Sequence, residues 1–142
     1  MAYKRILIAA DLDEAAQLVM FKKAQSLGDS KTKIVLVHAI ETMNIYLYDI
    51  GQGAALEEEL LDKAHAMMAK VRKQFGLSAR QTIIKVGSAK ELILTEAAKM
   101  KADLILVGSH GKSGIAAFLG STSNAVLQYA PCDVLAVRFM DK

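Results

Sequence analysis

The sequence predicts an α/β protein in which a parallel sheet carries helices on both faces. Short apolar runs alternate with longer segments of helical periodicity along all 142 residues. The first run, Arg5–Ala10, is continuously apolar after its first residue, which is typical of a strand buried on both faces. Strands that alternate with helices usually pair in parallel through right-handed crossovers. We expect a single domain over residues 1–142.

The first half of the chain reads as strand, helix, strand and helix. After the first strand, apolar residues recur at helical spacing, and either Asp11 or Asp13 can cap the helix that they form. Lys33–Ile40 predicts the second strand. A long helix is expected over Ala54–Phe75, with Gly76 in the usual position of a helix stop.

The second half continues the same alternation. Ser88 and Glu91 have the spacing of a capping box and begin a helix that runs to Lys101. A last helix is expected over Ser121–Ala130. The strands around these helices are predicted at Thr82–Val86, Leu104–Val107 and Val134–Phe139.

The segment Thr42–Gly53 breaks the regular pattern, although apolar and aromatic residues are frequent in it. A lid over a ligand site or a surface for a partner would use such a stretch. Packing onto the long helix that follows is the alternative.

Composition narrows the class of protein. Hydrophobic residues make up 53% and charged residues 23%, which indicates a globular chain. The net charge is only +3 and the basic residues are scattered without aromatic neighbours, so we expect no nucleic-acid partner. The apolar run at the N-terminus is too short for export or for a membrane span, and Cys132 has no second cysteine to pair with. We therefore expect a cytoplasmic protein.

The glycine-rich stretch Gly108–Ser123 follows the fourth strand and leads into the last helix. Glycine lets the backbone approach an anion closely, and the free N–H groups of a helix start can bind phosphate. An ordinary flexible connection is the alternative. In open parallel sheets, ligands bind beyond the carboxyl ends of the strands, so Asp11 and Ala39 are expected on the same side as this stretch.

Other patterns in the chain give no catalytic site. Gly111-Lys112-Ser113 ends like a Walker A loop, but Leu106 stands where that motif needs its first glycine. Lys112 reaches a phosphate or is solvated, and the same two roles are open to His110. We expect His38 to be a hydrogen-bonded core residue. No nucleophile with a base and no paired carboxylates emerge from the spacing.

Four segments, in order along the chain, resemble the universal stress protein family. They are Met1–Asp11, Leu36–Ile40, Asp103–Gly114 and a closing segment made of Gly120–Val126 and Ala130–Val137. The resemblance implies an open five-stranded parallel sheet in the order 3-2-1-4-5, of the adenine nucleotide alpha-hydrolase-like type. It also implies homodimers that pair through the last strand, Val134–Phe139.

The nucleotide-binding members of that family hold ATP, and the resemblance carries their motif to this chain. Gly108 and Gly111 match its first glycine pair, Gly120 and Ser121 match its close, and Asp11 matches an acid near the adenosine and the metal. Ala39 matches the position whose main chain meets adenine. The residues expected at the nucleotide are Ala9, Ala10, Asp11, Ala39, Val107, Gly108, Gly111, Lys112, Gly120, Ser121, Thr122 and Ser123, with Asp11 as the candidate Mg²⁺ ligand.

Two departures from the family pattern affect the expected site. Only eight residues separate Gly111 from Gly120, one fewer than usual, which we interpret as a tightened loop. The proline that often stands two residues before the acid is Ala9 here. The resemblance implies an ATP-binding stress-response regulator or sensor that hydrolyses ATP slowly at most, since neither a base nor an arginine finger is evident. A weak ATPase or phosphotransfer enzyme and a nucleotide-free structural dimer are the alternatives.

Overall fold

In the described part of the chain, parallel strands form one sheet with the first strand at its centre. The computed structural model describes residues 2–10, 13–41, 53–110 and 121–139. Within them lie the strands β1 (Arg5–Ala9), β2 (Lys33–Ile40), β3 (Thr82–Val86), β4 (Leu104–His110) and β5 (Asp133–Phe139). Their order is β3-β2-β1-β4-β5 with every pair parallel, which confirms the predicted class and topology.

The helices begin and end close to the predicted residues. They are α1 (Glu14–Leu27), α2 (Gly53–Phe75), α3 (Ala89–Met100) and α4 (Ser121–Tyr129). Asp13 caps α1, because its Oδ1 accepts a hydrogen bond from the Ala15 amide at 3.0 Å. Ser88 Oγ accepts from the Glu91 amide at 3.3 Å and so caps α3. Gly76 ends α2 with a φ of 69°, in the left-handed region that glycine enters without strain.

The structure differs from the sequence-based expectation in two places. The strand β4 continues through Gly108 to His110, because the last residues of β5 pair with it, so the predicted loop at Gly108 begins later. A single 3₁₀ turn, Ala79–Gln81, precedes β3 and was not predicted. A polar turn this short shows no hydrophobic periodicity, so the sequence pattern could not reveal it. Gln81 holds it in place by donating to the Ile34 carbonyl at 3.0 Å.

The core lies on both faces of β1, as its apolar run predicts. Ile6 and Ile8 pack with residues of α1 and α2, whereas Leu7 packs on the opposite face with residues of α3 and α4. All three side chains are fully buried, and each contributes about 1.5–3 kcal/mol to the free energy of folding. On the first face, the rings of Phe21 and Phe75 stack with centroids 4.2 Å apart and join α1 to α2.

Asp103 ties the start of β4 to the start of β1. Its two carboxylate oxygens accept hydrogen bonds from the amides of Lys4 and Arg5, each at 2.8 Å. Its own amide donates to the Arg5 carbonyl at 3.0 Å. Burial acts to raise the pKa of Asp103, but the backbone amides and the charge of Arg5 outweigh it, so the pKa lies below its usual value.

We predict that Asp103→Asn lowers the free energy of unfolding at pH 7 by about 1–2 kcal/mol, because an asparagine accepts from only one of the two amides. The native carboxyl has a lowered pKa, so its contribution is complete above the unfolded-state value of about 3.9 and is lost as the pH falls through the native value. Urea unfolding at several pH values measures both effects.

The matched control is Glu59→Gln, which removes an exposed ion pair of α2 and should change the stability little. Equal urea midpoints for Asp103→Asn and the wild type at pH 7 would show that this link does not stabilise the sheet.

Candidate functional site

A cavity of about 330 Å³ opens at the carboxyl edge of the sheet. It lies at the carboxyl ends of β1, β2 and β4. In the sheet, β2 is the neighbour of β1 on one side and β4 is its neighbour on the other. This is the point of an open parallel sheet at which the strand order reverses and ligands bind. Its described lining is Ala9, Ala10, Ala16, Gln17, Met20, Val37, His38, Ala39, Ala89, Leu92, Ile93, Val107, Gly108, Thr122 and Ser123.

The strand ends supply the floor of the cavity with small side chains. Ala9 ends β1 and Ala10 follows it, Ala39 lies near the end of β2, and Val107 and Gly108 belong to β4. These five residues were all expected at the site, and the structure brings them together. Their short side chains leave room above the strands, so a ligand can reach the backbone there.

The first turn of α4 forms the rim of the cavity. Thr122 and Ser123 are half-buried and line the cavity, as expected, whereas Ser121 is exposed and is not among the residues of the lining. The first amides of a helix have no partner within the helix, and the helix dipole is positive at this end. The rim therefore offers hydroxyl groups and backbone N–H groups that suit an anion.

His38 has one nitrogen committed to the backbone. Its Nδ1 lies 2.9 Å from the carbonyl oxygen of Ala10, and because a carbonyl only accepts, Nδ1 carries the proton. The Ala10 amide donates to the Val37 carbonyl at 2.7 Å, so β2 holds both polar backbone groups of Ala10. The expected hydrogen-bonded role of His38 is therefore found, but the residue also lines the cavity, which the sequence did not predict.

Two helices supply walls that sequence reasoning missed. Ala16, Gln17 and Met20 come from α1, and Ala89, Leu92 and Ile93 come from α3. Gln17 is only 2% exposed. The signal that could have found it is its spacing, since it lies three residues before Met20 on the apolar face of the predicted helix.

Several expected site residues lie outside the described part of the chain. They are Asp11, Gly111, Lys112 and Gly120, together with residues 42–52 of the segment that we expected to form a lid or partner surface. Among the described residues, no group of three His, Cys, Asp or Glu side chains is arranged to hold a metal. Asp13, one of the two predicted caps, caps α1.

The described lining of the cavity is uncharged and mostly apolar. It contains no Lys, Arg, Asp or Glu, and its polar side chains are Gln17, His38, Thr122 and Ser123. Just outside it, the Glu41 carboxylate accepts from the first amide of α3, at Ala89, over 3.2 Å. An apolar cavity with a few polar groups suits a flat heteroaromatic ligand, and the rim at α4 suits a phosphate attached to it.

The chain is a parallel α/β domain with an uncharged cavity at its switch point, the place where proteins of this class bind small molecules. Comparison with known proteins makes the class specific. The model of the universal stress protein family matches residues 2–138, and the chain belongs to that family. Universal stress protein A homolog 2 of Coxiella burnetii is 44% identical over 139 residues, which cover 96% of this chain and 95% of the relative.

Solved structures agree with the fold. The universal stress protein UspA from Lactobacillus plantarum is 29% identical, with a TM-score of 0.72 over 97% of this chain and 99% of that one. A universal stress protein in complex with cAMP (24% identity, TM-score 0.58, 97% and 98% covered) shares the fold. A universal stress protein family protein from Arabidopsis thaliana with AMP bound also shares the fold. It is 19% identical, with a TM-score of 0.55 over 95% of this chain and 91% of that one.

No described helix is both long enough and apolar enough to cross a membrane. The longest, α2, carries charged residues along its whole length, among them Glu58, Asp62 and Lys70.

We predict that His38→Leu lowers the free energy of unfolding by about 1–3 kcal/mol, because it leaves the Ala10 carbonyl without its partner. His38→Asn should lose less, since its side-chain amide can donate from nearly the position of Nδ1. Urea unfolding at pH 8 measures both variants against His65→Leu, a change on the exposed face of α2. A His38→Leu protein as stable as the wild type would contradict the role of this bond.

Proposed function

We propose that this universal stress protein binds ATP in the cavity at the carboxyl edge and acts as a cytoplasmic stress-response regulator. The observation that carries the proposal is the meeting of separate chain segments in one uncharged cavity. Seven of the residues expected at a nucleotide from the sequence line it: Ala9, Ala10, Ala39, Val107, Gly108, Thr122 and Ser123.

The apolar part of the cavity supports the adenosine half of the proposal. Leu92 and Ile93 from α3 and Met20 from α1 give apolar walls, and Ala39 leaves the backbone of β2 open to a base. Burial of a flat ring between such walls is favourable, and backbone groups at its edge give orientation. The ligands bound to the two related structures, cAMP and AMP, each contain an adenosine and one phosphate. This is the part of ATP that the cavity suits.

The rim supports the phosphate half. Thr122 and Ser123 stand at the start of α4, where the helix dipole favours negative charge. Gly108 lies in β4, three residues before Gly111, and the family motif assigns both glycines to the phosphates. In this proposal Lys112 also reaches a phosphate. In this proposal Asp11 holds Mg²⁺ together with phosphate oxygens, since Mg²⁺ keeps few protein ligands beside a nucleotide.

In this proposal the bound nucleotide is a signal, and its hydrolysis is slow. Turnover at a rate above that of a slow regulator, abolished by Asp11→Ala, would favour the enzyme among the alternatives.

We also propose a homodimer that pairs through β5. This strand is at the edge of the sheet and pairs only with β4 in the described chain, and its Val134, Leu135 and Ala136 are half-buried apolar residues.

We predict that protein purified without added nucleotide, or loaded with ATP·Mg²⁺, releases about one adenine nucleotide per chain on denaturation. Chromatography of the supernatant measures the ratio.

Ala39→Phe should lower the affinity for ATP at least about tenfold in calorimetry, because the phenyl ring fills the space above β2. The control is Ala66→Phe on the exposed face of α2. If the wild type releases no nucleotide and ATP·Mg²⁺ causes no thermal shift, the nucleotide-free alternative holds.

We predict that replacing both Thr122 and Ser123 by Ala weakens ATP by about tenfold and leaves adenosine within about twofold. Two hydroxyl hydrogen bonds to a charged phosphate account for the difference. Parallel titrations with ATP and adenosine measure it. An equal loss for both ligands would place these hydroxyls at the nucleoside and not at the phosphates.

We predict a homodimer at micromolar protein concentration in sedimentation velocity. Filtered NOE experiments on a mixture of labelled and unlabelled chains should give contacts between the β5 strands of the two copies. A monomer at these concentrations, or contacts only through α2, would contradict the proposed mode of assembly.

A further inference from the structure

The geometry points to His38 as a specificity-determining residue whose Nε2 accepts a hydrogen bond from a donor group of the nucleoside. The inference rests on the proposed nucleotide site and assigns to it a polar atom that accepts hydrogen bonds but does not donate them. The donor is either the amino group of the base or a hydroxyl of the ribose, and the experiment below distinguishes them.

The first step is the tautomer of His38. Its Nδ1 is 2.9 Å from the Ala10 carbonyl oxygen, so Nδ1 must be the protonated nitrogen. In the neutral ring, Nε2 is then a lone-pair acceptor and nothing else. The hydrogen bond thereby fixes both the orientation of the ring and the chemical character of its second nitrogen.

The second step is the position of that nitrogen. His38 is half-buried and lines the cavity at the end of β2, one residue before Ala39. The bond to the backbone occupies Nδ1 alone. The inference is that Nε2, the other polar atom of the ring, meets the ligand that fills the cavity.

The third step is selectivity. The hydroxyls of Thr122 and Ser123 can each donate or accept, so they adapt to either kind of ligand group. Among the described cavity side chains, only His38 is limited to accepting. A ligand that presents an acceptor at the same place loses a hydrogen bond and leaves two lone pairs facing each other, which a buried site rejects strongly.

The test is calorimetric titration at pH 8. The ligands are ATP, inosine triphosphate, which has an oxygen in place of the amino group, and 2′-deoxy-ATP. We expect the wild type to bind ATP about tenfold more tightly than one of the two analogues. That analogue identifies the donor group.

The decisive variant is His38→Asn, which keeps a donor for the Ala10 carbonyl and removes Nε2. The preference for ATP over the discriminated analogue should fall below about threefold, and His65→Asn on α2 should leave it unchanged. An unchanged preference in His38→Asn, or a wild type that binds all three nucleotides equally, overturns the inference while nucleotide binding itself stands. A wild type that binds none of them overturns the proposed function and this inference together.

Nitrogen NMR of the histidine rings gives a readout that does not depend on affinity. In the free protein His38 should show a protonated Nδ1 and an unprotonated Nε2, and the Nε2 resonance should move on addition of ATP. A ring protonated at Nε2, or an Nε2 resonance that ATP leaves in place, contradicts the assignment.

Discussion

The pairing of β1 with β2 on one side and β4 on the other is the constraint on which the site depends. Because the chain reaches these two neighbours through crossovers on opposite sides, α1 and α3 stand apart at the carboxyl edge. The alternation of Ile6, Leu7 and Ile8 between the two faces locks β1 in this position. A cavity remains where the helices diverge, and its place follows from the strand order.

The small residues at the strand ends keep that cavity open to a ligand. Ala9, Ala10 and Ala39 leave the backbone accessible, and His38 and Val37 hold the polar groups of Ala10 in place. The uncharged lining favours a base, whereas the start of α4 favours a phosphate. A nucleotide would therefore be bound by burial of its ring and by weak backbone and hydroxyl contacts, with no cluster of basic side chains among the described lining residues.

The sequence predicted the strands well because each is a short apolar run with a clear boundary. Lys33–Ile40 and Thr82–Val86 agree with the structure at both ends. The continuation of β4 to His110 could not be read from a glycine and polar residues, because pairing with β5 decides it. The floor and rim of the site followed from the family motif. The walls did not, since Gln17 and Leu92 read only as core positions of amphipathic helices until the fold places those helices beside the strand ends.

The central claim is that ATP binds at the carboxyl edge, between the ends of β1, β2 and β4. Amide chemical shifts of labelled protein, followed through a titration with ATP·Mg²⁺, test it most directly. We predict that the largest changes occur at Ala10, Ala39, Gly108, Thr122 and Ser123, and that Gly28, Gly76 and Lys101 at the opposite edge stay unchanged. Changes confined to the opposite edge, or none at millimolar ATP, would contradict the account.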